Sequence, residues 1–205
     1  MSMLTLYTNP MSRGRITRWM LEEVAQPYEV RVLGFGEPMR TPEFLRLNPM
    51  GKVPVLVDDG QVLSEVAAIC VWLAERFPEA GLAPAPGTPA RAAYLRWLFF
   101  IAGPLELAMT ALNQGWRIDA DNRIAVGCGL PQETLALIRQ QLEQGGWLCG
   151  EQFTVPDLLL ASYLGWGMRL QQLEAEPLFV DYVARADARP AARRAEALDN
   201  ALAGA

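Results

Sequence analysis

Apolar and polar positions alternate over residues 4–8 (LTLYT), the period of a half-buried strand. The period then changes, and Ile16, Trp19, Met20 and Val24 recur at helical spacing. A second alternating run, residues 28–35 (YEVRVLGF), follows a turn at Gln26-Pro27, so the chain opens as βαβ. Thr41 and Pro42 open a short helix in TPEFLRLNP. Residues 52–65 (KVPVLVDDGQVLSE) read as two short strands joined through Asp59-Gly60, a dipeptide suited to tight hairpins because it tolerates positive φ. A helix from Glu65 to Arg76 closes the unit. The order βαβαββα predicts an α/β domain with a mixed sheet over residues 1–80.

The pattern changes again at the proline-rich stretch FPEAGLAPAPGTPA, residues 77–90, which reads as an interdomain linker centred on 81–88. Beyond it, residues 89–205 read as an all-helical domain. One helix runs from Thr88 toward Leu112, with a kink expected at Gly103-Pro104, and another from Pro131 to Gln144 stops at Gly145-Gly146. In FTVPDLLLASYLG, Thr154 is placed as an N-cap with Asp157 three residues on, a capping box, and Phe153 can staple to Leu158. EPLFVDYVARADARP supplies a fourth helix. The alanine-rich tail is expected to fray.

With 205 residues, 51% of them hydrophobic, the chain can bury two modest cores. Its longest apolar run, Trp97 to Ala108, is interrupted by Gly103, Pro104 and Glu106 and reads as a buried helix, so no membrane partner is expected. No secretory signal pattern is visible, which points to the cytosol. The net charge of -5, without charged blocks, argues against nucleic acid. Cys70, Cys128 and Cys149 are odd in number and lack a C-x-x-C pair, as reduced structural thiols would be. Histidine is absent, which excludes histidine bases, histidine metal ligands and Ser-His-Asp triads, and no metal is expected. Hydroxyls, carboxylates, arginines, the single lysine Lys52 and backbone dipoles remain for chemistry.

Three corners carry such groups. Ser12, with Arg13 and Arg15, lies where the first strand has ended and a helix begins. Its hydroxyl either caps that helix or donates to an anion, such as a thiolate, bound at the positive helix end. In NPMGKVPVL, Pro54 opens a strand and cannot donate to its ladder. Val53-Pro54 is a candidate cis bond, Val53 can pair by its backbone with an extended peptide, and Lys52 can reach a carboxylate. In VLSEVAAIC, Glu65 stands at a helix start, either as a favourable acid there or as a partner for an ammonium, with the helix N–H groups free for a carboxylate.

Together, Ser near the first helix start, N-P-x-G-K-V-P, S-E-x-A-A-I and the F-T-x-x-D motif resemble the cytosolic glutathione S-transferase superfamily, over Leu4 to about Arg189. The resemblance implies an N-terminal thioredoxin-like domain and an all-helical C-terminal domain lining the electrophile site. It also implies that Ser12 activates the glutathione thiol, with Tyr7 on the first strand as the alternative. Pro54 would be the cis proline, Val53 would hold the cysteinyl backbone, Lys52 the glycine carboxylate, and Glu65 and Val66 the γ-glutamyl end. The family usually places a serine where Val66 stands, so one hydroxyl donor is missing. The activity implied is transfer of glutathione to a hydrophobic electrophile, in detoxification, by a homodimer. The alternatives are a non-catalytic binding or regulatory module, a glutathione-dependent isomerase, and a disulfide reductase, for which Cys70 is the thiol to test.

Overall fold

The structure, a computed structural model, describes residues 3–204. The described residues divide into two compact units. One runs through Ala80 and takes in the residues from Ala188 onward; the other is Gly81–Asp187.

In the first unit the strands β1 (Leu4–Thr8), β2 (Tyr28–Val32), β3 (Val55–Asp58) and β4 (Gln61–Ser64) form one sheet in the order β2-β1-β3-β4. β1 runs parallel to β2 and antiparallel to β3, and β3 and β4 form the hairpin expected at Asp59-Gly60, where φ is 48° and 86°. Alternation in β1 decides what each face buries. Leu4, Leu6 and Thr8 are sealed, whereas Thr5 and Tyr7 are half-buried. Helices α1 (Gly14–Val24) and α3 (Val66–Arg76) pack on each other, α1 against β1 and α3 against β4. Tyr7 instead meets Phe44 of α2 (Pro42–Leu47), in a cluster with Met39 and Val55. Thr41 caps α2 by accepting the Phe44 N–H at 3.3 Å.

In the helical unit α4 (Pro89–Phe100) and α5 (Glu106–Gln114) are continuous through a π-helical turn, Ile101–Leu105. The kink expected at Gly103-Pro104 is therefore a widened turn, in which the helix continues past the N–H that proline lacks. By length and composition alone the 26 residues Pro89–Gln114 are enough to cross a membrane. Tyr94, Trp97, Leu98, Ile101 and Leu105 are buried, with α7 packed on α4 and both α6 and α7 on the π turn. The unit is completed by α6 (Pro131–Leu142), α7 (Val155–Arg169) and α8 (Pro177–Asp187). At the start of α7 the capping box is present: the Asp157 carboxylate accepts the Thr154 N–H and hydroxyl, the Leu148 N–H and the Tyr182 hydroxyl at 2.7–2.9 Å.

The tail corrects one expectation. Residues 190–203 do not fray but form α9 (Pro190–Ala203), and they belong to the first unit rather than to the helical span 89–205 in which the sequence places them. The physical reason lies in α1: Ala191, Ala192 and Ala195 are buried, and α9 brings its polar groups to charges on α1. Arg18 and Asp199 form a buried ion pair at 2.7 Å. Arg189 grips Glu23 with two hydrogen bonds of 2.7 and 2.8 Å, and Arg194 pairs with Glu22 at 3.0 Å. High alanine propensity and a proline at the first helical position then favour a formed helix.

Candidate active site

Sheet register brings the three corners to one end of the first unit. Tyr7 of β1 lies opposite Val55 of β3, which lies opposite Ser64 of β4. One step beyond that row β1 passes through Thr8 into the Ser12 corner, β3 is entered from Pro54, and β4 gives way to Glu65. Residues spread over more than fifty positions therefore leave the sheet from the same edge.

Ser12 is half-buried in the turn before α1. Its Oγ donates to the Asn9 carbonyl at 2.7 Å and accepts the Gly14 N–H at 3.0 Å. It is thus a cap for one free N–H of the helix, and it carries a hydroxyl proton that can be redirected to an anion at the helix end. Gly14 is dictated by close approach: a Cβ there would fall 1.9 Å from Thr8 Oγ1. Arg15 is held, its Nε donating to the Pro10 carbonyl at 2.5 Å and its Nη2 to Asn200 Oδ1 at 2.8 Å. Asn9 is a site residue that the sequence reading does not single out. Its buried amide donates to the Leu33 carbonyl at 2.7 Å and accepts the Met11 N–H at 2.9 Å, tying the corner to the end of β2. The only local signal for it was the turn-forming pair Asn-Pro.

At the second corner the Val53-Pro54 bond is cis. Pro54 is buried, Val53 half-buried and Lys52 exposed. Asn48 organises the loop, accepting the Met50 N–H at 3.0 Å and donating to the Lys52 carbonyl at 2.7 Å. At the third corner Glu65 is the N-cap of α3 with φ 68° and ψ 115°, outside the regions that side-chain-bearing residues favour, and it makes no side-chain cap. Such strain costs about 1–3 kcal/mol and concentrates at functional sites. The carboxylate is exposed, and the half-buried Val66 is the first residue of α3, whose N-cap side chain makes no capping hydrogen bond.

The two remaining candidates, Tyr7 and Cys70, have different surroundings. Tyr7 packs against Phe44 on the α2 face of the sheet, 6.1 Å between ring centroids, whereas Ser12 precedes α1. Cys70 is fully buried in α3, and burial pushes its thiol well above the usual range, which leaves it inert as a nucleophile.

The first unit is thus a thioredoxin-like sheet unit in which a serine-capped helix, a cis proline and an acid-headed helix meet at one end of the sheet, and the second unit is helical. Residues 11–76 match the glutathione S-transferase N-terminal domain and residues 131–190 the glutathione S-transferase C-terminal domain. The chain is 33% identical over 207 residues to the disulfide-bond oxidoreductase YfcG of Escherichia coli, covering 94% of each. Among solved structures it resembles the glutathione transferase of Methylococcus capsulatus, at 33% identity and a TM-score of 0.79 over 96% of this chain and 98% of the other. It also resembles a sphingomonad glutathione S-transferase complexed with glutathione, at 26% identity and a TM-score of 0.77 over 96% and 98% of the two chains. The chain belongs to the glutathione S-transferase family.

Proposed function

We propose that this protein is a glutathione transferase in which Ser12 and the N-terminus of α1 stabilise the thiolate of bound glutathione. The observation that carries the reading is the convergence of the Ser12, Val53-Pro54 and Glu65 corners at one sheet edge. The Val53 backbone pairs with the cysteinyl residue as an added strand does, and Lys52 neutralises the glycine carboxylate. Glu65 receives the γ-glutamyl ammonium, while N–H groups at the start of α3 receive its carboxylate. The Ser12 hydroxyl turns from the Asn9 carbonyl to the sulfur and lowers its pKa, and the thiol proton passes to solvent. The thiolate then attacks a hydrophobic electrophile, forming a carbon–sulfur bond as the leaving group departs with its electron pair.

Calorimetric titration with glutathione, followed by conjugation of a chloronitroarene, tests the reading. A dissociation constant in the micromolar range with measurable turnover supports it. Binding far weaker than millimolar, with no turnover, would instead favour a non-catalytic module, the outcome toward which Val66 leans. The YfcG relative favours a second chemistry at the same site, in which the bound thiolate attacks a disulfide, forms a mixed disulfide and expels the other thiolate. Reduction of hydroxyethyl disulfide that survives Cys70→Ser would assign that chemistry to glutathione rather than to the protein thiol.

The same reading includes a homodimer built on α3 and α4. On α4, Ala92, Leu95, Arg96 and Phe99 share one exposed stripe, Phe99 being 71% exposed, and Trp72 of α3 is exposed at 36%. An apolar stripe of this kind suits a two-fold contact. The enzyme works in the cytoplasm, where thiols such as Cys149 stay reduced.

A further inference from the structure

We infer that the C-terminal helix positions the thiolate corner, with Asn200 acting through Arg15 on the loop that carries Ser12; this deepens, and rests on, the assignment of Ser12 above. A cation in the first turn of a helix is mildly unfavourable, so Arg15 needs another reason to be there. Its guanidinium supplies one by serving two acceptors at once. Nε holds the Pro10 carbonyl at 2.5 Å, and Nη2 reaches Asn200 Oδ1 at 2.8 Å.

Pro10 follows Asn9, whose carbonyl receives both the Ser12 N–H at 3.0 Å and the Ser12 hydroxyl at 2.7 Å. The loop is therefore held from two sides, by the Asn9 amide on the Leu33 carbonyl and by Arg15 on α9. The pairs Arg18–Asp199, Arg189–Glu23 and Arg194–Glu22 already dock α9 on α1. Asn200 adds an exposed contact that contributes little to stability. Its distinction is its partner, the guanidinium that fixes the Ser12 loop. A lysine at position 15 would keep the charge but lack the planar fork that bridges both acceptors.

The experiment measures the pH dependence of kcat and KM for chloronitroarene conjugation, with thermal stability, for full-length wild type, Asn200→Ala, Asn200→Asp, Arg15→Lys and Ser12→Ala. The charged groups on the corner-bearing segments are Arg13, Arg15, Lys52 and Glu65; from α9, Asp199, paired with Arg18 of α1, acts electrostatically on Arg15, and Arg15→Lys and Asn200→Ala leave all these charges unchanged. Loss of positioning is expected to lower kcat by about tenfold in Asn200→Ala and in Arg15→Lys, with little change in the KM for glutathione. The pH midpoint should move upward in both, and Asn200→Asp, which keeps an acceptor, should restore the wild-type profile. If Ser12→Ala moves the midpoint while Asn200→Ala and Arg15→Lys match wild type, the positioning role is overturned and α9 is only a stabilising clasp. If Ser12→Ala also matches wild type, the assignment of Ser12 is wrong and the inference falls with it.

Discussion

The Ser12 hydroxyl donates to the Asn9 carbonyl at 2.7 Å while accepting the Gly14 N–H at 3.0 Å, so a single side chain closes the turn and caps the helix. Removing it should be felt twice. Ser12→Ala is expected to cost about 0.5–2 kcal/mol in denaturant unfolding, as the loss of a cap does. It should lower kcat/KM for conjugation by about a hundredfold, the effect of deleting one preorganised donor. A loss of stability with unchanged kcat/KM would leave Ser12 as a cap alone.

Gly14→Ala places a methyl group 1.9 Å from Thr8 Oγ1 and 3.0 Å from Thr8 Cβ, where β1 and α1 meet. Overpacking of this kind costs about 1–3 kcal/mol, and here it also displaces the N–H that Ser12 accepts. Thermal unfolding should show the loss, and adding Thr8→Ala should recover part of it by removing the clashing oxygen.

Val66 is the first residue of α3, next to the strained Glu65. Val66→Ser adds a hydroxyl at the helix start, and a hydrogen bond to a charged partner contributes about 1.5–3 kcal/mol. Calorimetry should show glutathione bound about tenfold more tightly or better. Unchanged affinity would place the γ-glutamyl carboxylate elsewhere.

Much of this was legible in the sequence, and the omissions share a cause. The span of β1, the Asp59-Gly60 hairpin and the Thr154–Asp157 capping box follow from period and turn chemistry, which are local. The three corners were legible for the same reason, each being a motif at an element boundary. Asn9 was missed because its acceptor, Leu33, is 24 residues away. The helix α9 was missed because its buried face is alanine, which carries little apolar signal. Its partners Glu22, Glu23 and Arg18 lie more than 160 residues earlier. The π turn at Pro104 reads as a kink in the sequence because proline announces a lost hydrogen bond but not how the helix absorbs it.

Asp157 accepts four hydrogen bonds in the buried start of α7, from Leu148, Thr154 twice and Tyr182. Asp157→Ala strands two backbone N–H groups and two hydroxyls, for an expected loss of about 3 kcal/mol or more in denaturant unfolding. A cost below about 1 kcal/mol, within the reach of an ordinary surface change, would contradict this role.

Glu176 is gripped by Arg139 through hydrogen bonds of 2.7 and 2.5 Å, and this pairing holds its carboxyl below the ordinary value of 4.5. A depressed folded-state pKa contributes stability above the unfolded value and loses it as pH falls through the folded one. Because the pair is partly exposed, the contribution is small. Glu176→Gln should therefore lower stability slightly at neutral pH and flatten its decline below pH 4.5. A wild-type acid decline that persists unchanged in the variant would assign it to other carboxylates.

The end of α1 and the Ser12 hydroxyl are proposed to make a thiolate of bound glutathione. Titrating the ultraviolet absorbance of the thiolate in the glutathione complexes of wild type and Ser12→Ala tests this most directly. The wild-type complex should ionise at least about one pH unit below the roughly 8.5 of a free thiol, and Ser12→Ala should move the midpoint back toward that value. Glutathione that binds the wild type but ionises as it does in free solution would contradict the account.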